Sequence, residues 1–278
     1  MKIKARLLNY IKNVLYMGGF ADVHDMALEQ NFTNYSNQSS NPILSSGKSY
    51  FSQVDEDGIT EEILRRMEIN LSSYTGTFVE LGVGDGTENN TLFLLANGWS
   101  GHWFGGQSLS FASELSFVGR LNFSKCWVTN EYLTESIIPK ILNLGEVDVL
   151  SLDLDGNDWH FCKTMLESGI RPKVWIQEYN SLFPPSVFWC MPYDAKHVWD
   201  LTSYFGASLL AFTELFENFG YRLVSCNATG ANAFFVRGDC ESGFEDVPHE
   251  LKDLYMPSRP WLYRARKKMD PRAAFGFR

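Results

Sequence analysis

Two stretches of the chain hold side chains whose types and spacing can do chemistry. In the first, Phe78-Val-Glu-Leu-Gly82-Val-Gly84-Asp85-Gly86, the acid Glu80 is followed by three glycines at alternate positions, and an amphipathic run carrying Asn90 comes next. Glycines let the backbone approach a ligand closely and take positive φ. An acid at the end of a strand can accept from a ligand ammonium or hydroxyl. The second stretch, Leu152-Asp-Leu-Asp-Gly-Asn-Asp158, groups Asp153, Asp155, Asn157 and Asp158, and Glu178 and Asn180 follow further on. Such carboxylates can hold a hard divalent cation such as Mg²⁺ through oxygen ligands, or one can act as a base without metal. A calcium loop does not fit, because the glycine is misplaced and the twelfth position is Thr164.

Hydrophobic periodicity predicts the elements that must position these groups. A helix over Ile59–Met67 is led by Asp55, Glu56 and Asp57, acids that suit a helix N-terminus. Strands and helices then alternate. Strands are expected at Thr77–Leu81, His102–Phe104, Lys125–Val128, Val147–Leu152 and Lys173–Gln177. Helices are expected at Asn89–Ala96, Ala112–Val118, Thr134–Leu142 and Trp159–Glu167. After a Pro-rich loop come a long helix, Tyr204–Phe219, and strands Tyr221–Cys226 and Asn232–Val236. The connection Asn227-Ala-Thr-Gly230 is too short for a parallel crossover, so the last pair should be an antiparallel hairpin. The expected fold is α/β: a mainly parallel, Rossmann-like sheet of the class I methyltransferase type with a C-terminal antiparallel hairpin and helices on both faces.

The glycine turn departs from the dinucleotide fingerprint Gly-x-Gly-x-x-Gly, since Thr87 stands where its third glycine would fall. An acid ahead of the glycines matches instead the methyltransferase pattern acid-x-Gly-x-Gly-x-Gly. Tyr50-Phe-Ser-Gln53, Glu56-Asp-Gly-Ile59, Phe78-Val-Glu-Leu-Gly82, Asn90-Thr91, Gly98-Trp-Ser-Gly101, Leu152 to Asp158 and Glu178-Tyr-Asn180 belong to one pattern, with Pro192-Tyr-Asp194, Trp199-Asp200, Tyr204 to Ser208 and Asn232 to Phe235. Together they resemble the FkbM-like methyltransferases, which use S-adenosylmethionine (SAM) and methylate hydroxyls, often on sugars of polysaccharides and natural products. The resemblance covers about residues 50 to 240.

It implies that Glu80, Gly82, Gly84, Asp85, Gly86, Asn90 and Asp153 bind SAM. The family's ribose-binding acid is replaced by Gly105, leaving Gln107 as a substitute or the chain as a catalytically impaired binding protein. Asp153, Asp155 and Glu178 are the expected catalytic or metal-holding acids, with His160 as a further candidate base and His197 ranked beside it. Asn180, Tyr193, Asp194, Trp199 and Tyr204 are the expected acceptor-binding residues, because aromatic faces and carboxylates suit a carbohydrate. These loop aromatics have an alternative role in packing the loop onto the body. The expected activity is O-methylation of a sugar or glycan intermediate. A nicotinamide-dependent sugar oxidoreductase is the alternative that the glycine spacing and hairpin oppose.

Bulk properties bound the setting. The 278 residues carry 24 Lys and Arg against 33 Asp and Glu, a net charge of −9, which has the wrong sign for a general nucleic-acid binder. The odd count of 5 cysteines, with no Cys-x-x-Cys, fits a reduced, cytoplasmic compartment better than a disulfide framework or a zinc site. Residues 1–49 read as an N-terminal helix and polar linker, 50–240 as the methyltransferase domain and 241–278 as a basic extension. The helix, with Ile3, Leu7, Leu8, Ile11, Val14 and Leu15 at helical spacing, suits docking on the body or a partner subunit, as in a homo-oligomer, or a membrane surface. The tail from Arg259 to Arg278 suits solvent, a subunit contact, or the phosphates of lipids and lipid-linked glycans.

Overall fold

The computed structural model describes residues 39–111 and 119–262, with scattered positions between 23 and 35. The expected helix at 112–118, the N-terminal helix and most of the basic tail lie outside the described residues. Seven strands form one sheet: β1 (Thr77–Leu81), β2 (Ser100–Gly105), β3 (Leu121–Lys125), β4 (Val149–Leu152), β5 (Val174–Glu178), β6 (Tyr221–Cys226) and β7 (Asn232–Arg237). Their order is β3-β2-β1-β4-β5-β7-β6, with β7 antiparallel to both β5 and β6 and the other pairs parallel. This is the order and polarity of the class I methyltransferase sheet, and the terminal pair is the hairpin expected from its short connection.

The central strands are short apolar runs because helices cover both faces. Every residue of Val149–Leu152 is buried, as are Phe78 to Leu81. The helices are α1 (Glu56–Arg66), α2 (Leu92–Ala96), α3 (residues 130–142, with a π-helical stretch Leu133–Ile137), α4 (Asp158–Glu167), α5 (Leu209–Glu217) and α6 (Leu251–Leu254). Trp99, Trp103, Trp175 and Phe216 are among the largest fully buried side chains. No helix among the described residues is long and apolar enough to cross a membrane. All five cysteines are unpaired.

Three elements differ from expectation. The third strand is Leu121–Lys125, not Lys125–Val128, and its register runs Gly101 to Leu121 through Gly105 to Lys125. As an edge strand it buries one residue fully, Leu121, so its composition is polar, while the more apolar run beyond it leaves Trp127 55% exposed. The long helix begins at Leu209, where the Ser208 hydroxyl caps it by accepting from Ala211 N; Tyr204 to Ala207 remain loop. The end of the segment read as a polar linker is packed: Asn41 Nδ2 donates to the Val224 carbonyl, and Ile43 and Leu44 are buried.

Candidate active site: a glycine turn against an acid cluster

The two chemistry-bearing stretches meet because β1 and β4 are parallel neighbours whose carboxyl ends lie side by side. Asp153 N continues the pairing by donating to the Leu81 carbonyl at 3.0 Å. Gly82 makes the junction possible: its φ is +98°, and a Cβ there would sit 1.5 Å from the Asp153 carbonyl oxygen. Gly84 also takes positive φ (+52°), and a Cβ there would meet nothing within 4 Å, so the turn opens onto space.

That space is a cavity of about 280 Å³ lined by the glycine turn, residues 87–90, Gln53, Glu56, Gln107, Asp153 and Asn232. Among the described residues, five of the lining are acids (Glu56, Glu80, Asp85, Glu88 and Asp153) and none is Lys, Arg or His. Buried amide oxygens of Asn89 and Asn232 have no hydrogen-bond partner. The lining therefore presents acceptor oxygens. Ligands bind at the carboxyl ends of open α/β sheets for topological reasons, and this cavity is at that place.

Glu80 has a first duty that the sequence reading lacks. It is 5% exposed, and its oxygens accept from Asn90 N (2.9 Å), Thr91 N (3.1 Å) and the Thr91 hydroxyl (2.5 Å). These are donors at the start of α2 that would otherwise be unmet. Burial pushes its carboxyl up to about 7, against those hydrogen bonds. Asn90 ties the same helix start to β4 through the Ser151 hydroxyl (3.1 Å). Asp85 folds back on its own turn, accepting from Thr87 N and Thr87 Oγ1. At the end of β2, a Cβ on Gly105 would lie 2.8 Å from Val83 Cγ2, so an acid in that position would require the Val83 side chain to shift. Gln107 lines the cavity in its stead.

Sequence reasoning took Glu56 and Asp57 for ordinary helix-start acids. Glu56 is fully buried and joins α1 to the hairpin: Oε1 accepts from Asn227 Nδ2 (2.8 Å) and Asn232 Nδ2 (3.2 Å), and Oε2 from Val54 N. Asp57 Oδ2 gathers the N–H groups of Tyr50, Phe51 and Ser52, and burial still raises its carboxyl to about 6. The Glu56 partners lie in the hairpin turn 171 residues away, whereas those of Asp57 are the residues just ahead of α1.

Beside the cavity, Asp153, Asp155 and Glu178 each offer one carboxylate oxygen, all within 4.8 Å of one another. Burial, then the negative charges of Asp155 and Asp158, hold Asp153 well above the usual carboxylate range. Burial, then Asp153, does the same to Glu178. Burial also raises Asp155, whose backbone is left-handed (φ +55°). Glu178 Oε2 is buried without a partner. Three crowded acids and an orphaned oxygen leave a demand for a proton or a cation. Asp158 is different: it accepts from Leu154 N (2.7 Å) and Gly156 N (2.8 Å) and so closes the turn that carries the other acids.

The loop from Tyr179 to Phe205 is strapped to this turn. Asn157 clasps the Asp194 backbone in both directions (2.9 and 2.7 Å), which leaves the exposed Asp194 carboxylate to accept from Lys196 N. His197 Nε2 reaches the Asp155 carbonyl (3.1 Å), its ring filling the space a Gly156 side chain would need. Several expected site residues turn out to be fastenings. Asn180 is fully buried and donates to the Ser203 and Phe205 carbonyls, so it does not face an acceptor. The Tyr193 hydroxyl accepts from Asn130 N, and its ring edges His160 and Phe161. His160 lies outside the acid cluster: its Nε2 donates to the Met191 carbonyl at 2.8 Å, anchoring the loop. Trp199 and Tyr204 remain exposed, at 40% and 54%.

No protein-family model and no curated protein matches the sequence. Solved structures with similar folds include an O-methyltransferase family protein from Burkholderia thailandensis (13% identity, 78% of this chain and 70% of that one, TM-score 0.39). A SAM-dependent methyltransferase from Geobacter sulfurreducens, in complex with S-adenosylhomocysteine, has 14% identity over 66% of this chain and 70% of that one, TM-score 0.33. A third is a putative O-methyltransferase from Nostoc punctiforme, with 11% identity over 64% of this chain and 55% of that one, TM-score 0.36. Likeness at this level bears on neither acceptor nor mechanism.

Proposed function

We propose that the chain transfers the methyl group of SAM to a hydroxyl of a sugar or glycan intermediate. The observation that carries this reading is the cavity on the glycine turn, with five acids and no basic side chain among the described residues of its lining. SAM brings a sulfonium and an ammonium against one carboxylate and gains from that field. The pyrophosphate of a nicotinamide dinucleotide would be repelled by it, and the glycine spacing is wrong for it as well.

SAM supplies an electrophilic methyl, so the protein's task is alignment and proton removal. When SAM is bound, its methyl would pass to the alcohol oxygen with the sulfur leaving as the thioether, and a carboxylate of the cluster would take the hydroxyl proton. Asp155 suits that role: it is the most exposed of the three acids, and burial makes it more basic than an ordinary aspartate. Asp153, Asp155 and Glu178 are also the residues that would hold Mg²⁺ or a similar cation, and the partnerless Glu178 oxygen fits one. Such an ion would lower the pKa of the alcohol. Trp199, Tyr204 and Asp194 are the residues this reading assigns to the acceptor, whereas the bonds of Asn180, Tyr193 and His160 hold the loop. Unpaired cysteines fit a cytoplasmic setting.

The absence of an acid at Gly105 favours a second reading, a SAM-binding protein without turnover. A methyl-transfer screen over nucleotide sugars and polysaccharide fragments, read by mass with and without Mg²⁺, separates the two. The proposal expects one methyl on at least one acceptor. SAM binding with no acceptor modified under either condition supports the second reading.

A further inference from the structure

Glu80, at the end of β1, is the acceptor that sequence reasoning offers to a ligand ammonium, yet the fold spends it on the start of α2. The other lining acids are engaged as well. Glu56 takes Asn227, Asn232 and Val54 N, Asp85 takes Thr87, Glu88 takes Gln53 Nε2, and Asp153 belongs to the acid cluster. Two acceptors of the same lining have no partner: the amide oxygens of Asn89 and Asn232. These residues are only 3% and 4% exposed. A buried amide oxygen left unpaired is costly, so each lacks a donor. Their orientation follows from what the nitrogens do. Asn232 gives Nδ2 to Glu56 Oε1 (3.2 Å) and Asn89 gives its own to Glu80, so the oxygen is what each has left.

The sheet explains how two residues so far apart in the chain come to one cavity. β7 runs antiparallel, which brings its first residue, Asn232, to the carboxyl edge of the parallel strands, opposite Glu178 at the end of β5. Asn89 stands between the glycine turn and α2. Gln107 follows β2, so in the strand order it lies on the far side of β1 from Asn232. The chemistry of the two oxygens narrows what they receive. Both amides are backed by carboxylates, which suits a group bringing several N–H donors and a positive charge. A hydroxyl brings one hydrogen and an anion brings none.

We propose that Asn89 and Asn232 supply the acceptors for the ammonium of the methyl donor's amino-acid end, with the sugar end of the donor toward Gln107. The inference rests on the methyltransferase reading and names the part of SAM that these side chains recognise. The test is titration calorimetry of the full chain with S-adenosylhomocysteine and with the same molecule carrying hydrogen in place of its amino group. The parent should hold S-adenosylhomocysteine at least about tenfold more tightly. Asn89→Ser and Asn232→Ser each keep a hydroxyl to donate to the neighbouring acid and withdraw the amide oxygen. Each should cut that preference to about threefold by weakening S-adenosylhomocysteine alone, at unchanged melting temperature. Equal affinity of the parent for the two ligands overturns the proposal, and that comparison needs no variant to fold. Variants that keep the full preference, or that weaken both ligands alike, overturn it too, leaving the oxygens to water or to another part of the donor. In each of these cases the parent still binds S-adenosylhomocysteine and the methyltransferase reading stands. A parent chain that binds neither ligand overturns both.

Discussion

At the scale of single residues, the acids divide into those that build and those that are left in demand. Glu80 and Asp158 spend their oxygens on N–H and hydroxyl groups, whereas Glu178 keeps a buried oxygen with no partner beside two other carboxylates. Glu178→Gln should therefore stabilise the free protein, raising its melting temperature by a few degrees, because it removes one of three crowded charges. The same change should lower methyl transfer at least a hundredfold; a melting temperature that falls would contradict the placement. Gly82→Ala should unfold the chain or cost more than about 3 kcal/mol in urea denaturation, since its Cβ would overlap the Asp153 carbonyl. For His160→Gln, transfer should stay within about tenfold of wild type with an unchanged pH profile, as expected of a loop anchor; a base would lose far more. The anchoring contact of His160 was not legible in the sequence, because its partner is a backbone carbonyl, at Met191, which no pattern of side chains announces.

At the scale of elements, legibility followed burial. Thr77–Leu81 and Tyr221–Cys226 have the boundaries their composition predicts, because each is an apolar run between polar or glycine-bearing turns. The edge strand Leu121–Lys125 was displaced in prediction because one-sided cover permits polar residues. The acid turn and the glycine turn were both visible as motifs, and the parallel β1–β4 pairing explains why they meet. The roles of Glu56 and Asn180 were not visible, since each depends on partners that only the folded chain brings near. The turn itself makes a prediction at this scale. Asp158→Ala removes the acceptor for Leu154 N and Gly156 N and should cost about 2 kcal/mol by urea denaturation. It should also weaken any Mg²⁺-dependent step, because Asp155 loses its frame.

At the scale of the molecule, buried acids set the response to pH. Burial lifts Glu80 from 4.5 to about 7, and Asp57 and Asp158 from 3.8 to about 6. A carboxyl raised in the folded state contributes stability that is complete below its unfolded pKa and is lost as pH rises through the folded value. For Glu80 alone the loss amounts to about 3 kcal/mol. Calorimetric melts should therefore show the melting temperature rising as pH is lowered from about 8 to about 5; a flat or falling profile would contradict the burial of these acids. Under the proposed function, the acids that line the glycine turn, with no basic side chain among the described lining residues, favour a cationic donor over a pyrophosphate. Titration calorimetry of the full chain with SAM, and separately with NAD, tests that most directly. The cavity should take up SAM at one molecule per chain and give no heat with NAD; a chain that ignores SAM, or binds NAD as well, contradicts the account.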